Sequence, residues 1–404
     1  MQYRSLVKGS EEISTLGYGC MRLPVKGNRI DEEKTLEQML YAFNEGVNYY
    51  DTAYPYHAGK SEVVLGKFIK KNNIRDKVYI ADKLPAFLVT KQEQIEKYFN
   101  TQLERLDTDY IDYYLMHMLE TMESWEKLKG FGIVEFIDEK KKKGEIKHIG
   151  FSFHGKQQEF IKILEDYPWD FCQIQFNYLD EYNQAGLAGL KRADELGIGV
   201  VVMEPLRGGN LAAKAPDKVI EKFSKYDKTR SPAHWALRWI WNHPEVSVVL
   251  SGMNVDEHIR ENIEVANTTL ARSMSEEELK VVDEVKEIYK SLMKVPCTGC
   301  NYCMPCPFGV DIPGTFASYN DKYFFGSRQT QIMYLTRVTG LTSGVKTGAD
   351  LCTDCGLCEK HCPQNIKIRD ELKNAHKDMD MPLVRGAMNI ASSFMNRRKR
   401  KSNK

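Results

Sequence analysis

From about residue 14 to residue 266 the chain alternates between two textures. Short apolar runs of strand character are followed by longer stretches whose apolar positions recur three or four apart. The strand candidates are ISTLGYGC (13–20), VNYYD (47–51), KVYIADK (77–83), YIDYYLMH (110–117), IKHIGFS (146–152), DFCQIQFN (170–177), IGVVVMEP (198–205) and VSVVLSG (246–252). Intervening stretches such as DEEKTLEQMLYAFNEG open on a capping residue, and Gly46, Gly144 and Gly197 stand where a helix must stop before the next strand. Eight strands separated by helices predict parallel β/α repetition, and eight is the number that closes a (β/α)8 TIM barrel. An open doubly wound sheet would alternate in the same way. It calls for a glycine-rich phosphate fingerprint after its first strand, which Gly17-Tyr18-Gly19-Cys20-Met21 does not supply. Ahead of the first strand, MQYRSLVKGSEEIS reads as a β-hairpin turning at Lys8–Gly9, a lid for one barrel end.

Near residue 295 the texture changes. Only Cys20 and Cys172 precede that point, whereas the other eight cysteines fall between Cys297 and Cys362. The layout expected is a barrel over 1–274, a linking helix over 275–295, a small, mainly α-helical ferredoxin-type iron–sulfur domain over 296–380, and a basic tail over 381–404 that reads as a solvated end. With 42% hydrophobic and 28% charged residues the composition is that of a soluble globular protein, and a net charge of +1 gives no general attraction to nucleic acid or an anionic membrane. The first residues lack the apolar core of a signal peptide, and no stretch is long enough to span a bilayer. A cytoplasmic location is expected, where thiols stay reduced and structural disulfides are disfavoured.

The clustered cysteines read Cys297-x2-Cys300-x2-Cys303-x2-Cys306-Pro307 and Cys352-x2-Cys355-x2-Cys358-x3-Cys362-Pro363. The second matches the bacterial ferredoxin run in full; the first is one residue shorter before its last cysteine. In such tandem sets three close thiolates hold one 4Fe-4S cube and the fourth, proline-flanked cysteine ligates the other. The pairing predicted is Cys297, Cys300, Cys303 and Cys362 on one cluster, with Cys352, Cys355, Cys358 and Cys306 on the second. Zinc ribbons pair two CxxC knuckles, so triple x2 spacing with a trailing Cys-Pro favours cubanes over zinc. Cys20 and Cys172, on apolar strands, read as small buried residues.

In a β/α barrel, chemistry gathers at the C-terminal strand ends. The second strand ends at Asp51, with Tyr56 five residues on; the third ends at Lys83 and the fourth at His117. Hydride reduction of a carbonyl puts negative charge on its oxygen, which must be protonated as the charge appears. A phenol titrating near 10 is a weak acid, a neighbouring ammonium favours its phenolate, and a carboxylate holds that ammonium in place. A histidine beside the same oxygen can orient it.

The string Asp51-Thr52-Ala53-Tyr54-Pro55-Tyr56, followed by Gly59-Lys60-Ser61-Glu62 and Leu65-Gly66, resembles the signature of the aldo/keto reductase superfamily. The likeness continues at Lys83, Asp112–His117, Gly144–Ser152, Gln173–Asn177, Pro205-Leu206, Ser251-Gly252 and Glu261-Asn262, over about residues 1–270. Residues 297–313 are similar to the string CTGCxYCMPCPxGVxIP of the subgroup with a ferredoxin-like C-terminal extension. The resemblance implies an oxidoreductase using NADP or NAD on a small-molecule carbonyl, with Tyr56 as proton donor, Lys83 and Asp51 its tuning pair and His117 the substrate orienter. It implies cofactor contacts from Gly19, Cys20 and Met21; from Ser152, Gln173 and Asn177 on the nicotinamide carboxamide; from Met203, Pro205 and Leu206; and from Ser251, Gly252, His258, Glu261 and Asn262 at the adenosine end. Met203 takes the place of the family's usual stacking aromatic, and His258 that of a basic residue for the adenosine phosphate. Tyr54, Trp125, Phe153, His154 and Arg207-Gly208-Gly209 are candidate rim residues. A nicotinamide passes two electrons at once and a cubane one, and no flavin fingerprint joins them. Two roles therefore stand for the clusters: structural or serving a partner, or part of an electron chain with a ferredoxin or flavoprotein.

Overall fold

The computed structural model describes residues 1–402 apart from Thr298, Cys300, Asn301, Tyr302, Ser327, Thr342, Ser343 and Pro363, with backbone only from 393 onward. The chain divides into two compact units, Met1–Ala213 with Asp227–Val282, and Lys214–Tyr226 with Asp283–Lys404.

The first unit opens on the antiparallel hairpin β1 (Tyr3–Ser5) and β2 (Glu12–Ser14), in which Tyr3 faces Ser14. After β3 (Leu16–Gly19) comes a second small hairpin, β4 (Val25–Lys26) and β5 (Arg29–Ile30), which the apolar pattern does not announce. The barrel is completed by β6 (Tyr49–Asp51), β7 (Tyr79–Leu84), β8 (Ile111–Leu119), β9 (Ile146–Phe153), β10 (Phe171–Gln175), β11 (Gly199–Met203) and β12 (Val248–Ser251). With β3 they form one closed parallel barrel in chain order, β12 pairing back onto β3. Each strand coincides with one of the eight apolar runs, with β7, β8 and β9 extending one or two residues beyond theirs. Gly46, Gly144 and Gly197 all have positive φ at helix ends, the conformation that glycine adopts without a Cβ penalty.

Side chains alternate along a strand, so parity decides what faces the barrel interior. Tyr49, Ala81, Tyr113, Leu115, Phe171 and Val201, all odd-numbered, meet in one interior cluster. Asp51, Lys83, His117, Gln173 and Met203 continue the same parity toward the C-terminal ends of β6, β7, β8, β10 and β11. Polar groups thus replace apolar ones on the inner face at one end only.

The other end is closed by the first hairpin. Leu6 and Ile13 are buried in the interior cluster with Tyr49 and Phe171, which begin their strands. Gly199, first in β11, is required there, because a Cβ on it would lie 1.8 Å from the Leu6 carbonyl oxygen.

In the second unit, helices Ile312–Phe325, Arg328–Val338 and Ile368–Met379 bury Ile312, Phe316, Leu335, Val338, Leu372 and Met379 in a separate core. Asp311 caps the first of these, accepting from the Gly314 N–H at 3.1 Å with Pro313 in the first turn. Asn320 ties down Val295 through both its backbone groups, at 2.9 and 2.8 Å. In the basic tail expected over 381–404 the backbone is helical over Pro382–Ser402, and Ser392 is buried against the Gly340 carbonyl. No helix of the described residues is long and apolar enough to cross a membrane.

Candidate active site

Lys83 reaches from β7 across the barrel mouth to the end of β6. Its Nζ donates to Asp51 Oδ1 at 2.6 Å and to the Thr52 carbonyl at 2.7 Å, with both charged side chains buried. Burial alone would lower the Lys83 pKa; the charges of Asp51 and Tyr56 outweigh it and hold the ammonium above its ordinary value. Burial lifts Asp51 above the ordinary carboxylate range, with Lys83 opposing.

Tyr56 lies just past β6, where Thr52 and Ser61 hydroxyls share a 2.9 Å bond and Ser61 donates to the Cys20 carbonyl. The turn that follows is left-handed at three residues, His57 (φ 48°), Ala58 (φ 55°) and Gly59 (φ 82°). It is held by His57 Nε2, which accepts from the Leu23 N–H at 3.2 Å. The Lys83 ammonium sits 5.2 Å from the centre of the Tyr56 ring. Burial pushes the phenol up to about 12, and Lys83 pulls against that rise. The ammonium's effect has the sign expected from the sequence, but desolvation is the larger force.

His117, from the end of β8, meets the Tyr56 ring edge to face at 5.9 Å between centroids, and Phe87 flanks it at the same separation. Burial first and Lys83 second hold its imidazole well below its usual range, so it is neutral at physiological pH. Its Nδ1 is buried with no partner among the described residues. Asp51, Tyr56, Lys83 and His117 therefore come together around one space at the strand ends.

Behind Lys83, facing the helices rather than the interior, lies a second acidic group that the sequence reading did not single out. Asp82 is buried, its Oδ1 accepting the Lys83 N–H at 2.8 Å, and its carboxyl meets that of Glu62. Burial first and the Glu62 charge second hold its carboxyl well above the usual carboxylate range. Glu62 is itself buried and accepts from Arg105 Nη1 at 2.7 Å. Gln102 donates to the Lys83 carbonyl at 3.0 Å and accepts from the Tyr114 hydroxyl at 2.8 Å. A charged residue interrupting the apolar run YIADK was the available signal.

Of the expected cofactor contacts, Gln173 and Ser152 are paired in register on β10 and β9, and Gln173 Nε2 lies 3.5 Å from Met203 Sδ. Gln173 Oε1 is buried with no partner among the described residues. Asn177 is occupied locally: its amide donates to Asp180 Oδ2 at 2.8 Å and accepts from the Leu179 N–H. Asn262 donates to Ser251 Oγ at 3.0 Å, Glu261 bonds Ser231, and His258 is exposed. Met21 is exposed beside buried Cys20, Gly252 packs near Arg22, and Pro205 is buried beside partly exposed Leu206. Two rim candidates are not at a rim. Trp125 is buried, donating to Asp166 and packing on Trp169, and Phe153 is buried against Phe160. Arg207 pairs with Asp180 at 3.1 Å.

In the second unit a cavity of about 410 Å³ is lined by Cys306, Cys352, Cys355 and Cys358, together with Cys303 and His361. The first four are the set assigned to one cluster by spacing. Among the described residues, no three ligand side chains close on a single point as one bare ion would need. Cys355 is exposed, while Cys297, Cys303 and Cys362 are partly buried against the unit's core. Cys300 lies outside the described residues. Cys20 and Cys172 are buried in the barrel, as expected.

A closed eight-stranded β/α barrel with a buried Asp–Lys pair, a tyrosine and a neutral histidine at its C-terminal mouth defines an oxidoreductase-type TIM barrel. Residues 15–287 match the Aldo/keto reductase family and residues 296–366 match the 4Fe-4S dicluster domain. The chain belongs to the aldo/keto reductase family of oxidoreductases and carries a C-terminal 4Fe-4S dicluster domain of ferredoxin type. Among relatives, it is 28% identical over 312 residues to "Probable aldo-keto reductase 1" of Glycine max, covering 69% of this chain and 86% of that protein. It is 27% identical over 329 residues to the oxidoreductase YqkF of Bacillus subtilis, covering 72% and 99%. Among solved structures, the holo form of an aldo-keto reductase from Bacillus halodurans superimposes with a TM-score of 0.58 at 23% identity, covering 70% of this chain and 96% of that one. An aldo-keto reductase from Klebsiella pneumoniae in complex with NADPH gives 0.57 at 19% identity, covering 71% and 96%. These two likenesses speak for the fold.

Proposed function

We propose that the barrel reduces a small carbonyl compound to the alcohol with NAD(P)H, Tyr56 supplying the proton. The observation that carries this reading is the buried Lys83 ammonium, fixed by Asp51 and Thr52 and set against the Tyr56 ring. The nicotinamide, when bound, supplies the hydride that reaches the carbonyl carbon. The protein's part is to neutralise the oxygen: Tyr56 gives its proton as charge develops, and Lys83 stabilises the phenolate left behind. Asp51 keeps the ammonium in place, and neutral His117 offers a nitrogen to orient the carbonyl oxygen. Hydride and proton together convert the carbonyl to the alcohol and leave the nicotinamide oxidised.

The residues fit such a cofactor. The buried, unpartnered Gln173 Oε1 would accept from the carboxamide, with Ser152 beside it, whereas Asn177 would have to release Asp180 to take part. Ser251, His258, Glu261 and Asn262 would hold the adenosine end. The NADPH of the Klebsiella neighbour favours NADP, although exposed His258 is a weaker phosphate partner than arginine or lysine.

The eight C-terminal cysteines would hold two 4Fe-4S clusters. The cavity bounded by Cys306, Cys352, Cys355 and Cys358 supports the crossed assignment for one of them. Exposure of Cys355 supports a second reading, in which this cluster exchanges electrons with a ferredoxin or flavoprotein partner.

The test is Tyr56→Phe, assayed anaerobically on a carbonyl panel with NADPH, NADH and reduced ferredoxin as donors. Carbonyl reduction should fall by about 10²- to 10⁴-fold with cluster absorbance unchanged. Unaltered turnover would remove Tyr56 as the acid, and failure of every nicotinamide donor beside success of ferredoxin would favour the second reading.

A further inference from the structure

The whole-chain charge of +1 conceals a sharp segregation. Seven of the 57 basic residues lie beyond Asp380, at Arg385, Arg397, Arg398, Lys399, Arg400, Lys401 and Lys404, and none of the 56 acidic residues does. The chain up to Asp380 is therefore net acidic, and five of those seven cations follow one another at Arg397–Lys401, whereas Arg385 is paired with Asp350 and Asp380.

That helix, Pro382–Ser402, runs alongside Arg328–Val338. Met388 meets Thr336 and Ser392 meets the Gly340 carbonyl, so four residues along one helix match four along the other and the two run parallel. Its inner face uses Val384, Met388 and Ser392 against the core of the second unit. Its outer face is apolar as well. Leu383 is 92% exposed and Ile390, seven residues on, is 62% exposed, with exposed Ala387 between them on the same stripe. The sequence continues that spacing at Phe394 and then enters Arg397–Lys401. On the neighbouring helix, Ile332 and Met333, within a turn of Thr336, are 38% and 59% exposed.

We infer that this face docks on an anionic lipid surface, with Leu383 and Ile390 entering the headgroup boundary and the positive charge of the sequence Arg397–Lys401 supplying the attraction to lipid phosphates. The sides of the helix discriminate between partners. A nucleic acid would satisfy the cations but has no place for exposed aliphatic side chains such as Leu383 and Ile390. An acidic bilayer satisfies both, because its interface accepts apolar groups directly beneath the charge that attracts lysine and arginine. The segment is a surface helix and not a span, since its second half is charged. The second unit, with its cysteines, would then be brought to the membrane.

The experiment is co-sedimentation of the full-length, cluster-loaded protein with phosphatidylcholine vesicles, with and without about a third phosphatidylglycerol, at low and high salt. The bound fraction should be at least about tenfold greater on the anionic vesicles and should fall at high salt. The double exchange Leu383→Asn with Ile390→Asn should lower it at least about fivefold while visible absorbance of the clusters is retained. Both side chains are exposed, and the wild-type salt series needs no variant. Equal sedimentation on the two vesicle types overturns the inference. So does binding that the double exchange leaves untouched, capture by an RNA oligomer without vesicle binding, or a dimer that the exchange dissolves without any lipid binding.

Discussion

Lys83 Nζ lies 2.6 Å from Asp51 Oδ1 with both groups withdrawn from water, yet Asp51 Oδ2 finds no donor among the described residues. Such a pair is tuned for position more than for stability, because the cost of burying two charges offsets most of their attraction. Its half-satisfied carboxylate faces a neighbourhood already occupied by a phenol and a neutral imidazole. The arrangement holds one positive charge next to Tyr56.

Removing one member should therefore be costlier than the pair is worth. In Asp51→Asn the Lys83 charge remains buried beside a neutral amide, and the barrel should lose about 3–5 kcal/mol of unfolding free energy. Urea unfolding of the two proteins measures this. A difference below about 1 kcal/mol would mean that water already relieves the pair.

The pH profile follows from the directions of the shifts. With Tyr56 pushed up to about 12, the proton needed for carbonyl reduction is present throughout the neutral range, and reduction should lose activity from this group only on approach to that value. Alcohol oxidation needs the phenolate, so it should rise about tenfold per pH unit below it. His117 is depressed below 6.5, so it stays neutral as pH falls while the unfolded chain takes up its proton. Its contribution to stability is thus complete above about 6.5 and is lost as pH drops below that. A rate inflection in reduction near pH 6.5 assigned to His117, or an acid limb in Tyr56→Phe but not in wild type, would contradict these assignments.

Most of the barrel was legible because two-residue alternation and strand-end polarity are local signals. Asp51, Lys83 and His117 could be placed at one mouth from their positions at the C-terminal ends of three strands, before any distance was known. What escaped was created by tertiary contact. Nothing within a short window joins Asp82 to Glu62, and Trp125 and Phe153, taken as rim candidates, are buried by their aromatic neighbours. The segment Pro382–Ser402 read as a solvated end because its charge run outweighs the apolar stripe preceding it; packing of Val384, Met388 and Ser392 supplies the reason for the helix. The small hairpin β4–β5 was signalled only by Gly27, whose φ of 62° marks the turn.

The crossed ligation makes a prediction about iron. Cys355→Ser removes one ligand from the set that lines the cavity, so one cluster should be lost or altered and the other kept, with iron content falling by about half at most. Iron analysis with electron paramagnetic resonance of the reduced protein checks it. Loss of all iron from this single exchange would argue for a shared or differently paired assembly.

Where the first hairpin seals the barrel with Leu6 and Ile13, and Gly199 lets it approach so closely, the barrel has a floor. With Tyr49, Tyr113 and Phe171 filling the space above that floor, every visiting molecule is confined to the opposite mouth.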